Sequence, residues 1–451
     1  MPEKFDAVVL GMGPGGEVVA GRLLGAGKKV AVVERELLGG ECAYWACIPS
    51  KTLIRPPEVR GEARRAFGTG TPTLNLEDIF DYRDHIIRNL DDSGEVERYE
   101  EQGARVIRGE ARLNGPGRVE VNGEELEAND IVVATGSTSN TLPIEGLEDV
   151  TVWTNREATT TREVPERAAI IGGGPNGIET SQWLSRMGSQ VTLIQSPGRL
   201  INREDSEVGE IIQELLEEEG IEVRVGRKVE KARNEGDGSA LVTLDDGAEV
   251  ASNVVITVAG RTPRVQGIGL ESVGIEVDEK GLLVDDRCQV DGVPGLWGVG
   301  DVTGIMPFTH VAQYQGRVVA ANILGGERRA SYRGVPRVVF SDPEIAATGL
   351  TEAEAQEGGI DAATVTLDLP QALARSVTYE KEPRGTMKLI ADRGERVLVG
   401  AWAVAPLAGE WIHQACWAIR TRTPIDTLLD GVSQFPTFSQ AYLEALEQLD
   451  L

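Results

Sequence analysis

Cys42 and Cys47, five residues apart in the run Gly39-Gly40-Glu41-Cys42-Ala43-Tyr44-Trp45-Ala46-Cys47-Ile48-Pro49-Ser50-Lys51, are the side chains best suited to redox chemistry. A thiol pair can cycle between dithiol and disulfide and so take up or release two electrons. The chain has four cysteines, the others being Cys288 and Cys416. In a reducing compartment structural disulfides are scarce, so a closely spaced pair points to catalysis or metal binding. Two sulfurs alone make no metal cage, and no metal ligands are assigned. On a regular helix the pair would stand about 7.5 Å apart along the axis. A disulfide needs Cα atoms roughly 4.4 to 6.8 Å apart. The segment must therefore be distorted, with Cys42 at a loop–helix junction and Cys47 inside the helix, where a thiolate is stabilised. Cys288, beside a strand, and Cys416, in an apolar helix, read as buried structural thiols.

The elements around this pair repeat along the chain. Lys4 to Gly11 reads as a buried strand that enters Gly11-Met12-Gly13-Pro14-Gly15-Gly16 and then a helix. A second strand, Val30 to Val33, ends at Glu34. The same plan returns from Ala168 through Gly172-Gly173-Gly174-Pro175-Asn176-Gly177 to a strand ending at Gln195. Gly11 to Glu34 and Gly172 to Gln195 have equal spacing. In each unit the first two glycines (Gly11 and Gly13; Gly172 and Gly174) permit a tight turn and close approach of backbone N–H groups to a pyrophosphate. The third (Gly16; Gly177) lets the helix pack on the strand. Glu34 can accept hydrogen bonds from ribose hydroxyls. Gln195 in the same place carries no charge to repel a 2′-phosphate, and Arg199 lies close enough in sequence to help. Together they favour NADPH slightly over NADH.

Further along, Leu76 to Gln102 has helical period and Arg105 to Val121 reads as short strands. Ile131 to Val133 ends at Ala134-Thr135-Gly136, and Ser252 to Ala259 leads to Gly260-Arg261. Gly295 to Asp301 is a strand with an acid at its tip. From about Gly334 strands (Arg337 to Phe340, Val397 to Val404) mix with a helix, Gly409 to Arg420. Length alone calls for several domains in the 451 residues. The net charge of −27 opposes nucleic-acid binding, which needs a basic face. No apolar run is long enough to span a membrane. No signal-peptide pattern opens the chain, so a cytoplasmic protein is expected.

Over essentially its whole length the sequence resembles the class I pyridine nucleotide–disulfide oxidoreductases: dihydrolipoyl dehydrogenase, glutathione reductase, mercuric reductase and relatives. The resemblance rests on the two glycine turns, the Cys42–Cys47 segment with Pro49-Ser50-Lys51, Ala134-Thr135-Gly136, Gly177-Ile178-Glu179, Gly300-Asp301, and Phe340-Ser341-Asp342-Pro343-Glu344 through Gly349-Leu350-Thr351. It implies an α/β protein of two Rossmann-type dinucleotide-binding domains plus an α+β C-terminal dimerisation domain. The expected divisions are 1–148 and 264–333 for FAD, 149–263 for NAD(P)H and 334–451 for the interface of a homodimer. It also implies that Asp301 binds the ribityl hydroxyls, that Cys47 is the sulfur next to the flavin and that Cys42 exchanges with substrate. Lys51, paired with Glu179, would stand beside the reactive flavin nitrogen.

One departure bears on the substrate. Lipoyl dehydrogenases and disulfide reductases of this family carry His-Pro-Thr near the C-terminus and a glutamate shortly after. Here the stretch is Phe435-Pro436-Thr437-Phe438-Ser439-Gln440, and phenylalanine moves no proton. Loss of a positioned acid–base group typically costs about 10²- to 10⁴-fold. Of the three histidines, His85 falls on a charged helix, His310 at a helix start and His413 in the interface region. None is an obvious substitute. Mercuric reductases share Phe-Pro here, but their C-terminal cysteine pair and the tyrosine after Phe-Pro are absent. Three readings stay open. The first is electron transfer from NAD(P)H through FAD and the cysteines to a small disulfide or quinone-type acceptor. The others are a dihydrolipoyl dehydrogenase and a flavoprotein redox sensor that does not turn over.

Overall fold

Alternation of apolar strands with Gly-led helices produces two sheets, one all-parallel and one parallel at its centre with an antiparallel edge, in the computed structural model, which describes residues 2–236 and 238–451. The described chain divides into two units that do not follow chain order. One is Met1–Pro49, Tyr82–Thr141 and Gly260–Ser331; the other is Ser50–Asp81, Leu142–Ala259 and Tyr332–Leu451.

In the first unit Glu3–Leu10 pairs in parallel with Val30–Glu34 on one side and Glu124–Val133 on the other. Arg105–Arg108 extends the sheet beyond Val30–Glu34, and Leu296–Gly298 lies parallel to the end of Glu124–Val133. Val8, Val9, Val32 and Val132 have no exposed surface, because a parallel sheet is covered on both faces. Helices Pro14–Gly25 and Thr309–Ile323 approach closely. A Cβ on Gly316 would fall 2.8 Å from the Gly15 carbonyl oxygen, so only glycine permits that spacing.

In the second unit Arg167–Ile171 sits between Gln190–Gln195 and Val254–Thr257, all parallel. Three antiparallel strands, Val229–Asn234, Ala240–Leu244 and Glu249–Ser252, form a separate small sheet. The C-terminal part is a five-stranded antiparallel sheet ordered Pro336–Val339, Glu344–Gly349, Val397–Ala405, Thr386–Asp392, Ala362–Asp368. Helices His413–Thr421 and Ala441–Leu446 contribute Ala415, Ile419, Ala441 and Ala445 to its core. Some boundaries differ from the sequence expectation. The helix expected over Gly409 to Arg420 divides into Ala408–Trp411 and His413–Thr421, and Leu76 to Gln102 breaks between Leu76–Ile86 and Ser93–Glu101. The strand expected to deliver Asp301 ends at Gly298, and Asp301 lies in the 3₁₀ turn Gly300–Thr303.

Glu344 opens an inner strand of the antiparallel sheet, and burial pushes its carboxyl up from 4.5 to about 7. Neighbouring Glu58, Glu410 and Asp342 act in the same direction, against one hydrogen bond from the Gly409 N–H. A carboxyl whose folded value is raised stabilises the fold below its unfolded value, and that contribution is lost as pH climbs through the folded value. Between pH 4.5 and 7 the loss is on the order of 3 kcal/mol. Glu344→Gln, whose amide oxygen can still accept from Gly409, is expected to melt above wild type at pH 8. The gain should shrink on acidification and vanish near pH 5; thermal melts across this range measure it.

Candidate functional site

Glycine geometry places the cysteine pair. Gly39 and Gly40 take φ of 115° and 62°, and the Gly39 N–H donates to the Met12 carbonyl at 2.8 Å. A Cβ at Gly40 would meet the Gly13 Cα at 2.9 Å, so the cysteine segment folds back against the first glycine turn. Cys42 then lies within a short helix, Gly40–Tyr44, and Cys47 opens the helix Cys47–Arg65. This corrects the expected placement: Cys42 is inside a helix and Cys47 at a helix start, with Trp45 and Ala46 as the break. The break resolves the spacing problem of a single helix, and the helix N-terminus favours a thiolate at Cys47.

Both sulfurs face one hydroxyl. Thr309 Oγ1 lies 3.2 Å from Cys42 Sγ and 3.2 Å from Cys47 Sγ, so the sulfurs are no further apart than twice that distance. The cysteines are thiols in this state and both are partly exposed. A hydroxyl has one proton to donate and lone pairs to accept with. Thr309 can therefore donate to Cys42 Sγ while Cys47 S–H donates to it. Nothing in the local sequence marked Thr309, which reads as an ordinary residue at the start of Thr309–Ile323. Next to it His310 is exposed and stacks on Phe308 with ring centres 5.3 Å apart. His85 and His413 are exposed as well.

The glycine turns show why each position excludes a side chain. A Cβ at Gly11 would meet the Ala134 carbonyl oxygen at 2.4 Å, and one at Gly16 the Gly11 oxygen at 2.0 Å. In the second turn the corresponding contacts are Gly172 with Val258 at 2.8 Å and Gly177 with the Gly172 oxygen at 1.8 Å. Gly13 and Gly174, by contrast, face open space. Each precedes a helix whose first N–H groups have no side-chain cap. Uncapped N–H groups beside an open glycine suit a pyrophosphate. Glu34 Oε2 accepts from the Met12 N–H at 2.8 Å and Oε1 from the Glu36 N–H at 2.8 Å. Gln195 Oε1 accepts from the Gly173 N–H at 2.8 Å, which repeats the first of these bonds. The Arg199 Nη2 donates to the carbonyls of Asn202 and Glu204, at 2.8 and 3.0 Å, within its own loop.

Ala134, Thr135 and Gly136 follow the strand Glu124–Val133, and the Thr135 hydroxyl donates to the Arg264 carbonyl at 2.8 Å. Asp301 Oδ2 accepts from Ser137 Oγ at 2.5 Å, and Ser137 is itself held by Arg261 Nε at 2.8 Å. Gly260, with φ of 95°, precedes Arg261–Pro263, which pairs with Ser137–Ser139. In the second unit Lys51 Nζ pairs with Glu179 Oε2 at 2.7 Å and stands 4.7 Å above the Phe340 ring. The Phe340 N–H donates to Glu179 Oε1 at 2.9 Å. Phe340 is a second partner of this pair that spacing could not reveal.

Two family models match, "Pyridine nucleotide-disulphide oxidoreductase" over residues 5–316 and its dimerisation domain over 335–446. The chain belongs to the pyridine nucleotide-disulphide oxidoreductase family. Dihydrolipoyl dehydrogenase of Thermus scotoductus is 33% identical over 99% of this chain and 98% of its own. Mercuric reductase of Staphylococcus aureus is 31% identical over 97% of this chain and 81% of its own. Among solved structures, the Cu(II) complex of the HOCl-induced flavoprotein disulfide reductase RclA from Escherichia coli has a TM-score of 0.87. It is 26% identical and covers 98% of this chain and 99% of that one.

This family member is an FAD-dependent oxidoreductase that uses a pyridine nucleotide. The open glycine at Gly13, the uncapped helix Pro14–Gly25 and the Glu34 carboxylate fit the dinucleotide part of FAD. When bound, FAD supplies the two-electron relay between a nicotinamide and the sulfurs. Among the described residues no helix is long and apolar enough to cross a membrane.

Proposed function

We propose that this protein takes electrons from NAD(P)H, with NADPH slightly preferred, and delivers them through FAD and the Cys42–Cys47 pair to a small disulfide or quinone-type acceptor. The contact of Thr309 with both sulfurs carries this reading, because an inert structural pair has no need of a shared hydroxyl. Gly11, Gly13, Gly16, Glu34, Ala134, Thr135, Gly136 and Asp301 are assigned to FAD, and Gly172, Gly174, Gly177, Gln195 and Gly260 to the nucleotide. Lys51 and Glu179 stand at the flavin edge, where the cation steadies developing negative charge. The NADPH preference rests on the neutral Gln195, with Arg199 assigned to help through the donors its two loop bonds leave unused.

Phe435, 68% exposed, stands where lipoyl dehydrogenases carry histidine, which disfavours proton-coupled exchange with dithiols. The protein is a homodimer in which the Phe435 segment closes the partner's cysteine site. The division into FAD, nucleotide and interface domains at 148, 263 and 333 goes with this reading, as does a cytoplasmic location. Anaerobic titration tests it. Two equivalents of NADPH per protomer should be consumed, with long-wavelength absorbance appearing after the first, and NADPH should show the higher kcat/KM. Uptake of one equivalent without that absorbance would remove the cysteines from the reaction.

A further inference from the structure

The loop Phe340-Ser341-Asp342-Pro343-Glu344 touches the helix that begins at Cys47 in two places, near Lys51 and at its far end. At the near end are the Phe340 ring under Lys51 and the Phe340 N–H on Glu179. At the far end Arg65 grips Asp342 with both Nη atoms, at 2.9 and 2.7 Å, and Glu380 with Nε at 2.6 Å. The same loop binds one stripe of Pro175–Arg186, because residues three and four apart share a helix face. Glu179 takes the Phe340 N–H, and Gln182 bonds both the N–H and the carbonyl of Asp342, at 2.8 and 2.9 Å. Arg186 reaches Asp342 Oδ2 at 2.9 Å. Asp342 is 8% exposed, so its carboxylate is committed to these two arginines.

The helix needs this anchorage. Pro56 and Pro57 lie inside Cys47–Arg65, and neither can donate to the carbonyl four residues back. The middle of the segment between Lys51 and Arg65 therefore lacks two backbone hydrogen bonds and bends more readily than a regular helix, with the Arg55 ion pairs to Glu58 and Glu62 spanning it. A tilt of about ten degrees at the prolines would move Lys51 by about 1 Å. Misplacement on that scale is enough to cost a reaction about 10²-fold.

We propose that Asp342 is a positioning residue: it ties the far end of the cysteine-bearing helix to the far end of the helix that starts at the nucleotide turn, and so keeps the Lys51–Glu179 pair in register. This rests on the reading that the pair flanks the flavin. Arg65→Gln is the test, because Asp342 then keeps Arg186 and the fold survives. On the holoenzyme, stopped-flow reduction by NADPH should slow about tenfold at saturation while the apparent Kd stays within about twofold. Amide hydrogen exchange in residues 47–56 should quicken, the flavin absorption envelope should shift, and Arg65→Lys should restore most of the rate. An unchanged rate, or loss of rate only in step with a fall in Tm, overturns the proposal. Lys51→Met, run in parallel, separates the two ideas. If it slows reduction and Arg65→Gln does not, the clamp alone is wrong. If it alters neither rate nor spectrum, the underlying reading is wrong and the clamp goes with it.

Discussion

Cys42→Ser is expected to lower kcat/KM for disulfide acceptors by on the order of 10⁴ or more, the scale on which removal of a covalent nucleophile registers. Serine keeps the size and the hydrogen bond to Thr309 but offers no thiolate at neutral pH, and it cannot enter a disulfide with Cys47. Flavin reduction by NADPH should stay near the wild-type rate, because Cys42 is the member of the pair assigned to the acceptor. Retention of quinone turnover in the same variant would place that activity on the flavin alone. Disulfide turnover within tenfold of wild type would sink the exchange role. Proton handling in the wild type cannot use position 435, which is phenylalanine. Thr309, at 3.2 Å from each sulfur, is in a position to pass a proton from one to the other.

Lys51→Met is expected to slow flavin reduction by about 10²- to 10³-fold, the loss seen when one preorganised donor is taken from a developing anion. The exposures of the pair explain why the defect should not be only catalytic. The Glu179 side chain is 5% exposed and that of Lys51 34%. Removing the lysine leaves a buried carboxylate whose remaining hydrogen bond, among the described residues, is the Phe340 N–H, which costs about 1 to 3 kcal/mol of stability. Glu179→Gln keeps that hydrogen bond and should cost less in both respects. Stopped-flow absorbance and thermal melts on the two variants read the difference. A Lys51→Met enzyme that reduces its flavin within threefold of wild type would remove the lysine from the chemistry.

Much of the site was legible because it depends on properties a short run of residues carries with it. A glycine that must adopt φ of 98° or 123°, as Gly11 and Gly172 do, leaves its mark in sequence wherever the turn occurs. The spacing of Cys42 and Cys47 is likewise visible whatever packs around the pair. Arg199 shows what such reading leaves out: its bonds to two carbonyls of its own loop have no mark in the sequence. The helix break at Trp45 and Ala46 was foreseen only as a distortion, since spacing says that a regular helix fails and not where it gives way.

By itself, then, the chain's order of residues determined the two glycine turns, the acid or amide that closes each, and the spacing of the Cys42–Cys47 pair. Only the tertiary structure decided which distant groups meet them: Thr309 lies 262 residues from Cys47, and Phe340 161 from Glu179. The physical reason is the range of the forces involved. Turn conformation and residue spacing are local, whereas a hydrogen bond formed across the fold depends on how strands and helices pack, and no spacing along the chain encodes it.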